Sequence, residues 1–78
     1  MYENWIKIKS WSHWYQAEIA KAVLADHQII SLIVNKQDSA YTHIGDVELY
    51  VNRDNALRAA HILNKIENEE TPPTYTNQ

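Results

Sequence analysis

Between Val34 and Val47 the chain sets an amide, an ammonium group, a second amide and a carboxylate side by side, at Asn35, Lys36, Gln37 and Asp38. Ser39, Tyr41, His43, Gly45 and Asp46 follow within the same polar stretch. Donors and acceptors this close could grip a small polar ligand or the backbone of a partner. The same residue types also build turns, because short polar side chains bond nearby backbone and Gly tolerates positive φ. Ser39, Asp38 and His43 supply the groups of a nucleophile, an acid and a base. A catalytic triad, however, needs each member oriented by the next in a rigid frame, and a loop does not offer one. The reading is of a binding loop and not of an active site.

Metal and cofactor chemistry have little to work with. The four histidines are His13, His27, His43 and His61, and none stands three or four residues from another. A zinc site would have to gather three or four ligands from separate elements. Cysteine is absent, which removes disulfides and thiolate ligands. With Gly45 as the only glycine, no glycine-rich phosphate cradle exists. No cofactor, metal site or enzymatic activity is expected. Seven Lys and Arg oppose ten Asp and Glu, and Glu67, Glu69 and Glu70 account for the whole deficit of three. The body up to residue 66 is therefore neutral, without the basic footprint of nucleic-acid or anionic-membrane binding. No apolar run has the length of a signal peptide or a membrane span. A cytoplasmic protein without nucleic-acid or membrane partners is the expectation.

The elements that must carry the loop can be read from periodicity. Asn4 to Lys9 alternates, with Ile6 and Ile8 on one side and Trp5, Lys7 and Lys9 on the other, which is a half-buried strand. Ser10 or Ser12 can cap a helix that follows. From His13 to His27, Trp14, Ala17, Ala20 and Leu24 form one apolar stripe, with Val23 at its edge. Ile29 to Val34 is almost continuously apolar and β-branched, the pattern of a strand buried on both faces or lying centrally. The polar linker ends at Val47, where Val47, Leu49 and Val51 alternate with Glu48 and Tyr50. Asn52 or Asp54 can cap a second helix with Ala56, Ala59, Ala60, Leu63 and Ile66 in its stripe. Residues 67–78 are acidic and polar with two prolines, and read as a disordered tail beyond a single domain at 1–66.

The order β-α-β-β-α belongs to the α+β class. A right-handed crossover sets the first two strands parallel, and the third inserts antiparallel between them. This is a truncated ferredoxin-like unit: a three-stranded antiparallel or mixed sheet with both helices on one face. The first strand, Asn4 to Lys9, then has a bare edge, and the far face carries Trp5, Lys7, Glu48 and Tyr50 with no helix over it. Both features predict a homodimer or pairing with another chain, with Trp5, Lys7 and Tyr50 as contact residues. Trp11, Trp14 and Tyr15 fit core and interface roles better than a base-stacking platform, since the neutral sheet face lacks the aromatic pattern of RNA-recognition strands.

The segments QAEIAKAVLADHQI (Gln16 to Ile29), VNKQDSAY (Val34 to Tyr41) and GDVELYV (Gly45 to Val51) resemble a small bacterial family of prokaryotic signal-transducing proteins, a domain of unknown function. That family is similar in fold to ferredoxin-like nitrogen-regulatory signal proteins, whose effector loop also joins the second and third strands. The resemblance implies a regulatory or protein-interaction module working through the loop; the loop's own chemistry names Asn35, Lys36, Gln37, Asp38, Ser39, Tyr41, Gly45 and Asp46 as binding residues, with turn-forming or dimer-contact roles as the other reading of the same residues. The alternative is a small-molecule sensor with its pocket at a dimer interface. This chain departs from the family at Gln28, where Gly is common, and at Ile30, where many relatives have Pro.

Overall fold

The computed structural model describes residues 4–36 and 46–69. The elements follow the expected order: β1 (Trp5–Trp11), α1 (Trp14–Asp26), β2 (Ser31–Asn35), β3 (Val47–Asn52) and α2 (Ala56–Glu69), with a 3-10 turn at Arg53–Asn55 leading into α2. The sheet order is β1-β3-β2, and β3 pairs antiparallel with both neighbours. The strand that follows the loop does insert between the first two.

Side chains of β3 divide cleanly between the two faces. Val47, Leu49 and Val51 are fully buried toward the helices, where Leu49 and Val51 meet Ala20, Leu24, Ile29, Ala59 and Leu63. Each large apolar side chain withdrawn this way contributes about 1.5–3 kcal/mol. Ala17 and Ala20 are buried on α1, and their small size lets the helix backbone approach the sheet closely. Trp14, expected on that stripe, is 58% exposed. At about 100° per residue it sits well round the helix from Ala20, and it stacks edge-on against Tyr15 instead. On α2, Ala60 is exposed and Ile62 takes the core-packing position, a small rotation of the expected stripe.

β1 departs from simple alternation. Its register runs Ile6↔Val51 and Lys7↔Tyr50, then skips to Lys9↔Leu49 and Trp11↔Val47. Ile8 is thus an extra residue, a β-bulge. The bulge turns Lys9, expected beside Lys7 on the far face, toward the helices, where its Nζ lies 2.8 Å from Glu67 Oε1. It also brings Trp11 against the core. α2 runs three residues past Ile66, so Glu67 is helical and within reach of β1. Residues 70–78, which hold most of the expected tail, lie outside the described residues.

The helix ends have specific local causes. α1 starts after an extended His13 that makes no side-chain cap, while Ser10 lies inside β1. Its C-terminus closes with three backbone bonds: His27 N–H to Leu24 O, Gln28 N–H to Ala25 O and Ile29 N–H to Leu24 O. The last two are the paired bonds of a Schellman motif, and its hydrophobic contact is present because Leu24 and Ile29 share the core. The motif demands positive φ at Gln28, which adopts 63°. Arg58 of α2 donates to the His27 carbonyl at 3.0 Å, tying α2 to the end of α1. Asn52 Oδ1 accepts the Asp54 N–H at 2.9 Å and caps the turn before α2, as its residue type suggests.

Candidate functional site on the open sheet face

Among the described residues, no helix covers the far face of the sheet. Trp5, Leu32, Val34 and Tyr50 line a shallow concavity there, with Leu32 38% and Val34 39% exposed. Lys7 and Tyr50, both expected on this face, are direct cross-strand partners. Glu48 was expected to be half-exposed beside them, yet it is only 6% exposed. The reason is a cluster of side chains drawn from β1, β3 and the residue that follows β2. Tyr50 OH donates to Glu48 Oε1 at 2.9 Å. Lys7 Nζ lies 3.5 Å from Oε2, and Lys36 Nζ lies 3.4 Å from Oε1.

The electrostatics of this cluster are coherent. The Tyr50 hydrogen bond, followed by the ammonium groups of Lys36 and Lys7, holds the Glu48 carboxyl below its ordinary value, against an opposing local desolvation. The bond to the carboxylate, with desolvation and the carboxylate's own charge, pushes the Tyr50 phenol up. Glu48 is covered by its neighbours' atoms, while the lysines that hold it reach into solvent. Both lysine side chains are more than half exposed, which screens their contribution. The cluster carries one net positive charge beside an apolar patch.

This cluster also anchors the stem of the β2–β3 loop. Lys36 N–H donates to the Asp46 carbonyl at 2.9 Å, closing the loop just beyond the Asn35↔Val47 pair. Lys36 is therefore held twice, by its backbone to Asp46 and by its side chain to Glu48. Of the residues expected to bind, Asn35, Lys36 and Asp46 are placed at this stem. Gln37, Asp38, Ser39, Tyr41 and Gly45, with His43, lie outside the described residues.

Sequence reasoning did not single out Glu48, Leu32 or Val34 as site residues. The alternation of β3 put Glu48 on the right face, but nothing local signals a partner 41 residues away in Lys7. Among the described residues, no group of three or more His, Asp or Glu is arranged to hold a metal ion. His13 stacks on Tyr15, and the His27 ring bonds the Val23 carbonyl at 3.0 Å. No described helix is long and apolar enough to cross a membrane. A scan against protein-family models finds no match to this chain, and searches of curated proteins and of solved structures also find none.

Proposed function

We propose that this chain is a small regulatory or protein-interaction module that recognises a partner through the β2–β3 loop and the adjoining rim of the open sheet face. One observation carries the reading. The loop stem is braced onto that face by the Lys36–Asp46 backbone bond and the Lys36–Glu48 ion pair. A loop stem held in this way places Lys36 beside the apolar patch of Trp5, Leu32, Val34 and Tyr50, while Asn35, opposite Val47, turns to the helix face. Such a combination suits a protein surface, which offers apolar area and hydrogen-bonding groups together. The resemblance to prokaryotic signal-transducing proteins supports a regulatory role by analogy.

The test is affinity capture from a lysate of the source organism with three baits. These are the wild-type chain, D38A/Y41A, which keeps Lys7, Lys36, Glu48 and Tyr50, and K36A/D38A/Y41A. A protein captured by the wild type and lost with D38A/Y41A, at matched thermal stability, supports loop recognition. Identical capture by all three baits would remove the loop from the mechanism.

A further inference from the structure

β2 has the composition of an interior strand and the position of an edge strand. Its run from Ile29 to Val34 is almost continuously apolar, as in strands covered on both sides and both faces. Yet β3 is its only neighbour among the described residues, Leu32 and Val34 are exposed on the open face, and Ile30 just before it is 75% exposed. The opposite edge differs in each respect. β1 is kinked by the bulge at Ile8 and carries Lys7 and Lys9, features that discourage further strand pairing. From Ile29 to Asn35, β2 has no charge, proline or bulge. The edge suited to association is therefore β2, in place of the Asn4 to Lys9 edge favoured by sequence.

We propose that β2 pairs antiparallel with β2 of a second copy about a two-fold axis at Ile33, merging two three-stranded sheets into one continuous sheet. The register follows from self-complementarity. With Ile33 opposite itself, Leu32 of each copy meets Val34 of the other, so the exposed apolar pair covers its own counterpart. Ile30 lies opposite Lys36, whose ammonium stays paired with Glu48 of its own sheet. Ser31 lies opposite Asn35. Ser31 Oγ is buried without a hydrogen-bond partner among the described residues, and an amide across the seam supplies one. The charges agree as well. Lys21 and Ala25 flank Ser31 on the helix face, and Glu18 lies on the same side of α1 one turn toward its N-terminus. The two-fold therefore brings Lys21 of one copy toward Glu18 of the other, twice. No like charges are opposed along the strand pair. This association is independent of whether the loop captures a partner.

The experiment is sedimentation equilibrium of the full chain and two double variants. L32K/V34E places opposite charges across the seam in this register, and L32K/V34K places like charges there. The proposal expects dimers for the wild type and for L32K/V34E. It expects dissociation at least about tenfold easier for L32K/V34K, since directly opposed charges alter each of two symmetric pairs. A second variant guards against misfolding of either double. The chain has no cysteine, so I33C, with its thiol on the axis, should form a covalent dimer under mild oxidation. A wild type that stays monomeric at hundreds of micromolar, equal behaviour of two folded doubles, or an I33C that fails to cross-link overturns the proposal. A monomeric wild type would also return the β2 edge to a strand from some other protein.

Discussion

Replacing Gln28 by Gly should stabilise this protein, and the size of the gain follows from one backbone angle. Gln28 holds φ at 63° so that its own N–H and that of Ile29 can close the end of α1 onto Ala25 and Leu24. An L-residue with a Cβ suffers about 1–2 kcal/mol in this conformation, from the clash with the following carbonyl. Gly escapes that clash but loses more backbone freedom on folding, worth about 0.5–1 kcal/mol. The net expectation is a gain of about 0.5–1 kcal/mol. For a domain of this size it should raise the melting temperature by about 2–8 °C. The side chain is exposed, so no core packing is lost in the exchange. Thermal melts followed by circular dichroism, with Q28A in parallel, decide the matter. Ala keeps the Cβ and with it the clash, so Q28A should show no comparable gain. A Q28G protein no more stable than wild type, or a Q28A protein equally stabilised, would refute the argument from φ.

Three further outcomes can be checked with ordinary denaturation. E48Q removes the carboxylate that Tyr50, Lys7 and Lys36 share, and should cost about 1–2 kcal/mol in urea unfolding, the worth of a charged hydrogen bond with a screened contribution from the exposed lysines. Because folding lowers the Glu48 pKa, its contribution is fully present above the ordinary value of 4.5 and is lost as pH falls through the lower folded value. Tyr50 is shifted the other way, so its contribution is full below its ordinary 10.0 and is lost as pH rises through the raised folded value. The acid limb of the wild-type stability profile should therefore flatten in E48Q; an unchanged limb would mean other groups dominate. The Lys9–Glu67 pair is partly exposed, and a K9A/E67A double-mutant cycle should return a coupling of no more than about 1 kcal/mol that fades with salt.

Element order and topology were legible because period-two and helical patterns are local. Val47, Leu49 and Val51 declare their shared face, and Ala17, Ala20 and Leu24 declare theirs, without knowledge of the rest of the chain. What escaped is nonlocal or lacks a residue signature. No Gly or Pro marks the bulge at Ile8, so alternation sent Lys9 to the wrong face. The burial of Glu48 depends on lysines from two other segments that only the folded sheet brings together. The positive φ of Gln28 arises because the backbone bonds and the Leu24–Ile29 contact overrule the residue's own preference. The apolar run of β2 was read correctly as chemistry and misplaced as position. In the candidate site, Trp5, Lys7 and Tyr50 fall on the open face as their alternation required, while the loop was recognised by its length and polarity, which say nothing of conformation.

The extra residue in β1 works as a change of phase. On its N-terminal side, odd-numbered positions face the open surface; on its C-terminal side, they face the helices. Lys7 and Lys9 are opposed to Tyr50 and Leu49, which are consecutive in β3. Deleting Ile8 would therefore leave every other strand pair intact and turn the ladder regular, at the expense of one apolar group packed on the core. The middle of a strand is ordinarily the worst place to lose a residue, because all side chains beyond it exchange faces. Here the frame shift is already built in. β1 can absorb a single-residue deletion at its centre, and a homologous chain one residue shorter there could superpose on this one strand for strand.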